Sequence, residues 1–155
     1  MFPLWIAIAF LSFVTLFLAV EIPKQKSVEI EIEAERDVTS ILAYRKGVIA
    51  YLQANPAATG TIPTTSLTTF WPLGYTNTGA FWSNYINPGD GKLYIFSSSP
   101  ANTHMMSKLH KLYAESFFIG TKNAAGNFVS FNGSVTMPAP PAASIANGAV
   151  VIIGR

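Results

Sequence analysis

The side chains that could carry out chemistry are few in this sequence. His104 and His110 lie six residues apart, whereas two metal ligands on one helical face need a spacing of three or four. Ser107 follows His104, but no third group accompanies this pair to orient a nucleophile. After the acidic segment that ends at residue 37, the only acids are Asp90 and Glu115, which is too few for a paired-carboxylate site. The sequence therefore predicts no catalytic residues and no metal site.

Two further features exclude other kinds of chemistry. The segment NPGDGK contains Gly89, Gly91 and Lys92, but it lacks the spacing and the Ser or Thr of a phosphate-binding loop, so we predict a turn. Cysteine is absent, which excludes disulfides, thiolate catalysis and zinc–thiolate sites. We predict no cofactor and no enzymatic activity.

Aromatic residues form the most concentrated group in the sequence, with eight between Phe70 and Phe96. A small domain without disulfides needs such side chains in its core, because each buries about 150–250 Å². Aromatic residues are also enriched at interfaces, and their rings can stack on sugars. The sequence favours a core and leaves two alternatives open, a glycan platform and a partner interface formed by Trp71, Tyr75, Trp82 and Tyr85.

Charge is distributed unevenly along the chain. Residues 21–37 contain six acids and three bases, whereas residues 38–155 contain seven bases and two acids. The first range is predicted to be a solvated acidic neck. The second is mildly basic but has no arginine cluster, so nucleic acid is not a predicted partner.

The elements that carry these residues begin with an apolar segment. Residues 1–20 contain no charged side chain, and about 20 apolar residues can cross a bilayer as a helix. We predict an uncleaved transmembrane anchor. A cleaved signal peptide is the alternative, but neither a basic residue before the apolar run nor an A-x-A motif before Glu21 supports it. Lys24 and Lys26 weakly favour a cytoplasmic body by the positive-inside rule.

The remaining residues, 38–155, are predicted to form one α+β domain with two helices and about four to five strands. The first helix should end at Asn55-Pro56. A strand is predicted at residues 92–98, a hairpin around residues 123–126, and a buried strand in AVVIIG. The apolar spacing of the second helix includes Met105, Leu109, Leu112, Tyr113 and Phe117. A Pro/Ala-rich loop should precede the last strand.

Several short motifs in this order resemble one family. They are YLQANPAATG, WPLGY, FWSNYI, LYIFSS and ANGAVVIIG. The chain resembles the small PilM proteins encoded in thin (type IVb) pilus operons of conjugative plasmids, which are unrelated to the actin-like protein of the same name. The resemblance implies an accessory protein of pilus biogenesis, single-pass in the bacterial inner membrane with its domain in the periplasm. Its implied partners are other pilus-assembly proteins.

The functional prediction combines these observations. We expect a non-enzymatic, membrane-anchored accessory factor in type IVb pilus biogenesis that supports conjugation. One alternative is a minor pilin-like subunit incorporated in the filament, because an apolar N-terminal helix leading to an α+β head is also the pilin plan. Another is an exported binding module with the aromatic glycan platform. No catalytic residue is transferred from the family to this sequence.

Overall fold

The computed structural model describes residues 2–113, 118–138 and 145–154. Its longest element is a helix, α1 (Phe2–Ala54), of 53 residues. The helix ends before Asn55-Pro56, as predicted, because proline disfavours helical geometry in the residue before it. The predicted boundaries at residues 20 and 37 both lie inside α1, so the acidic segment is part of one continuous helix.

The predicted transmembrane anchor at residues 1–20 is wrong. A membrane-spanning helix needs about 20 consecutive, mainly apolar residues, and no helix within the described part of the chain is long and apolar enough to meet this requirement. The same finding overturns the predicted location as a single-pass inner-membrane protein. The apolar residues instead form the first part of α1, which continues into the acidic segment.

Six strands of the described residues form one sheet, all paired antiparallel, in the order β1-β2-β6-β3-β4-β5. The strands are β1 (Trp82–Ile86), β2 (Leu93–Ser97), β3 (Ile119–Lys122), β4 (Asn127–Ser130), β5 (Thr136–Pro138) and β6 (Val150–Ile153). The mixed α and β composition of the domain is thereby confirmed. The sequence did not predict β1, which lies within the aromatic segment, or the short β5.

The described residues also form two further α-helices, the four-residue α2 (Thr64–Leu67) and α3 (Thr103–Tyr113), and two short 3-10 helices at Thr68–Phe70 and Thr78–Ala80. The second half of α1 packs with α3 and with one face of the sheet. This layer buries Val38, Ile41, Tyr44, Val48 and Leu52 of α1 and Met105 and Leu109 of α3. Outside it, a salt bridge of 3.3 Å joins Lys108 to Glu35.

The predicted apolar face of each helix differs from the observed one at its edges. Leu42 is 38% exposed and Leu112 is 58% exposed. Phe117, which completes the predicted face of α3, lies outside the described residues, as do Glu115 and residues 139–144 of the predicted Pro/Ala loop. The buried positions are therefore fewer than the apolar spacing indicates.

A smaller apolar cluster covers the opposite face of the sheet. It consists of Tyr94, Phe96, Phe128, Ile145, Ala149, Val151 and Ile153. Residues of β2 and β6 thus alternate between the two clusters, which buries both faces of these strands. The middle of the sheet is consequently apolar on both sides.

The first half of α1 projects away from this domain. Every described side chain from Pro3 to Glu33 is exposed except Val14 and Glu21, which are half-buried. At 1.5 Å per residue this projecting half is about 45 Å long. The apolar core therefore involves only the second half of α1, whose first buried residue is Ala34.

Candidate functional site

Three of the four residues predicted as a candidate partner interface meet at the inner side of α1. Trp82 is buried, and its indole Nε1 donates a hydrogen bond of 2.9 Å to Ser40 Oγ. The Tyr75 hydroxyl lies 3.4 Å from the same oxygen. Trp71 packs edge-on against Tyr75, with 5.4 Å between the ring centroids. Ser40 is therefore the polar centre of an aromatic junction between α1, β1 and the preceding loop.

The half-buried Trp71 ring also approaches the backbone of α1 closely. A Cβ atom added to Gly47 would lie 2.6 Å from Trp71 Cδ1. Any larger residue at position 47 would have to displace the ring. Glycine at this position thus allows the aromatic loop to lie directly against the helix.

Tyr85, the fourth residue of the predicted interface, lies apart from the other three. The exposure of β1 alternates, with Trp82, Asn84 and Ile86 buried. Tyr85 therefore faces the other side of the sheet, where it packs half-buried against the smaller apolar cluster. The four aromatic residues form no single surface, and Trp82 presents no ring face to solvent.

A buried polar network lies beside the aromatic junction and is centred on Asn84. The Asn84 side-chain amide donates to the Tyr44 hydroxyl at 2.8 Å and to the Ile62 carbonyl at 3.0 Å. Its Oδ1 accepts a hydrogen bond of 2.9 Å from the Ile62 backbone N–H. Asn84 thus satisfies both polar backbone groups of Ile62, which fixes the loop after α1 to β1.

Burial changes the ionisation of Tyr44. It raises the pKa of the Tyr44 phenol to about 12, although the hydrogen bond from Asn84 acts in the opposite direction. The pKa values of Tyr75 and Tyr94 are also raised, and burial is the largest cause in both cases. All three phenols resist ionisation. Tyr44 and Tyr75, which lie at or beside the aromatic junction, are therefore neutral hydrogen-bonding groups and not activated nucleophiles, whereas Tyr94 lies on the opposite face of the sheet.

A pH dependence of stability follows from Tyr44. The unfolded chain loses this proton near pH 10 and the folded chain near pH 12. The contribution of Tyr44 to the free energy of unfolding is therefore fully present below pH 10. It falls by about 2–3 kcal/mol between pH 10 and 12. We expect the Tyr44→Phe variant to lack this decrease in the free energy of unfolding. Urea unfolding at pH 8, 10 and 11.5 measures it, and parallel pH curves for both proteins would contradict the expectation.

The residues first considered for chemistry are dispersed. His104, Ser107 and His110 are exposed on α3, where the His110 ring lies 6.1 Å from that of Phe131. Asp90 accepts a hydrogen bond from the Lys92 backbone N–H and forms a 3.1 Å salt bridge with the Lys92 ammonium, which closes the predicted turn. No group of three or more potential metal ligands occurs among the described residues.

The sequence did not single out Ser40, Tyr44 or Asn84 as a connected group. The available signal for Asn84 was its position between Trp82 and Ile86, because alternate residues of a strand share one face. For Tyr44 the signal was its spacing from Ile41 and Val48 on α1. Their hydrogen-bond partners depend on the packing of α1 against β1, which no local pattern specifies.

Comparison with known proteins assigns a family to this architecture. A family model described as PilM matches residues 6–153, and therefore includes all but the first four residues of α1, the aromatic junction and the six described strands. No curated protein and no solved structure matches the chain. The resemblance seen in the sequence motifs is confirmed at the level of the family. The chain belongs to the PilM family, and its function is related to the type IV pilus.

Proposed function

We propose that this chain is a non-enzymatic accessory protein of type IVb pilus biogenesis, and that it supports conjugation by binding other pilus-assembly proteins. Family membership supplies the pilus context. The observation that carries the binding role is the projecting half of α1, where large apolar side chains such as Leu11, Phe13 and Leu16 are exposed. A contiguous apolar surface of this kind is typical of a protein interaction site.

The placement of polar residues supports binding over catalysis. The half-buried Ser40 accepts a hydrogen bond from Trp82, and the buried Asn84 donates to Tyr44 and to the loop after α1. The exposed residues His104 and Asp90 lie on α3 and in a turn, respectively. The polar groups near the aromatic junction therefore serve to hold elements together.

Deletion of the gene from cells that carry a complete thin-pilus operon tests the role in assembly. We expect thin pili and liquid mating to be lost while the amount of pilin in the cells is unchanged. Electron microscopy, mating counts and pilin immunoblots measure these outcomes. Normal piliation in the deletion strain would contradict the proposed function.

Complementation with matched leucine variants tests the binding surface. Replacing Leu11 and Leu16 with glutamine removes apolar area from the projecting half of α1, so we expect piliation to fall at least tenfold. The control replaces Leu73 and Leu112, two exposed leucines of the domain, in the same way and should complement fully. Equal complementation by both double variants would count against the projecting half as the binding surface.

One observation favours a second candidate, the minor pilin-like subunit. A single helix that projects with one half and packs with the other on an antiparallel sheet agrees with the pilin plan. The two roles differ in where the protein is found. A subunit should be present in sheared, purified filaments at a constant ratio to pilin, whereas an accessory protein should be absent from them.

A further inference from the structure

A basic cleft lies between α1, α3 and the β6 end of the domain. Its volume is about 510 Å³, and its lining combines two cations with large apolar side chains. The lining includes Leu42, Arg45, Lys92, Tyr113, Phe118 and Ile153. Phe118 is 58% exposed, so part of its apolar surface lies at the rim. The cleft therefore suits a ligand that carries both a negative charge and apolar surface.

Arg45 is the cation best placed to bind such a ligand. Its Nε is buried and has no hydrogen-bond partner among the described residues. Because Nε itself is inaccessible, a ligand in the cleft can bind the half-buried Arg45 only through the terminal nitrogens of its guanidinium, with which a carboxylate forms strong, directional hydrogen bonds. Lys92 is already within 3.1 Å of Asp90, so it contributes less. None of the described residues that line the cleft is an acid, so its charge is complementary to a carboxylate.

The projecting half of α1 carries a surface with the complementary properties. Val28, Glu29, Ile32 and Glu33 line one side of the helix, because residues three and four apart share a helical face. All four are exposed. Burial and the charge of Glu33 raise the pKa of Asp37 one turn further along, so the carboxylates here repel one another. A cation brought to this surface would relieve that repulsion.

The two surfaces of one molecule cannot meet. Glu29 and Arg45 lie on the same continuous helix, 16 residues apart in the sequence, which corresponds to a rise of about 24 Å. A contact between the surfaces therefore requires two chains. The exposed acidic surface of one chain offers the carboxylates and apolar side chains that the cleft of another can accept.

We propose that the Glu29/Glu33 surface of one copy of this chain docks into the Arg45 cleft of a second copy. The contact joins two different surfaces, so it is head-to-tail, and repetition leads to a ring or an open array. Its polar part is one carboxylate at the Arg45 guanidinium, and its apolar part packs Val28 and Ile32 on Leu42 and Phe118. The contact does not depend on the proposed role in pilus assembly.

Photo-crosslinking between two distinguishable copies of the full chain tests this contact. One copy carries a photoreactive amino acid in place of Leu42, and the other copy is labelled with ¹⁵N. The two copies are mixed in a non-ionic detergent, which adds no salt that would screen the charges. We expect adducts between position 42 and residues 25–33 of the labelled copy. Adducts within one chain, or with another part of the labelled copy, would overturn the proposal.

Charge reversal supplies the controls. Arg45→Glu in the photoreactive copy should lower the adduct yield at least tenfold, whereas Lys111→Glu, on the exposed side of α3, should not. The adduct yield should recover when the Arg45→Glu copy is mixed with a labelled copy that carries both Glu29→Lys and Glu33→Lys. It should not recover when the labelled copy carries Glu31→Lys instead. Recovery also excludes misfolding of the Arg45 variant. Equal losses with Arg45→Glu and Lys111→Glu, or no recovery, would refute the docking.

Discussion

Replacing Gly120 with alanine is expected to abolish the folded state. Gly120 lies in β3, between β6 and β4, and is paired with Ser130. An alanine Cβ would collide with the carbonyl oxygen of Val129 and lie 2.7 Å from Ser130 Cα. These are backbone atoms that no rotamer change can move, so β3 and β4 would have to separate. We expect a loss of more than about 3 kcal/mol in the free energy of unfolding.

The matched control for this substitution is Gly89→Ala. Gly89 lies in the turn before β2, and the nearest atom to an added Cβ is Asn87 Oδ1 at 3.5 Å. We expect a change within about 0.5 kcal/mol there. Urea unfolding followed by circular dichroism compares the two variants. If Gly120→Ala unfolds at the same urea concentration as Gly89→Ala, β3 and β4 do not approach each other as closely as described.

Replacing Trp82 with alanine is expected to have the second large effect. The side chain is 1% exposed, and its Nε1 is hydrogen-bonded to Ser40. Its ring also packs edge-on against Phe81 at 4.6 Å. Removing a buried tryptophan costs about 3–5 kcal/mol through lost transfer free energy and the cavity left behind. The melting temperature of the protein should therefore fall by about 6–20 degrees.

Trp5→Ala is the control, because the same side chain is removed from a position that is 71% exposed. Its melting temperature should stay within about two degrees of the wild-type value. Comparing these two variants also distinguishes a role of Trp82 in the core from a role in binding a partner. A Trp82 variant that keeps its stability but fails to support piliation would show that this residue contacts a partner and would contradict its place in the core.

Local sequence signals predicted the elements that depend on local geometry. The end of α1 follows from Asn55-Pro56, the hairpin of β3 and β4 from its turn residues, and β6 from an unbroken apolar run. β1 was not predicted because its aromatic and polar residues serve a strand and a loop equally well. The membrane span expected at residues 1–20 is wrong, because no helix among the described residues is long and apolar enough to cross a membrane and one helix extends through this segment into charged residues.

The candidate sites were less accessible to sequence reasoning. The interface prediction grouped Trp71, Tyr75, Trp82 and Tyr85 by proximity along the chain, but the alternation of β1 separates Tyr85 from Trp82. The Arg45 cleft joins residues from α1, α3, β6 and the turn before β2. Their assembly depends on packing between elements far apart in the chain, and no motif or spacing encodes such a juxtaposition.

The central position of β6 has a consequence for how this protein is made. β6 follows every other strand in the sequence, yet it is the strand that joins β2 to β3 and thereby unites the two halves of the sheet. During translation both halves exist with an unpaired edge until Val150 to Ile153 emerge from the ribosome. Pairings such as Tyr94 with Ile153 close long loops, which slows folding. Until then the exposed edges can pair with other nascent chains, so aggregation is most expected before β6 has emerged.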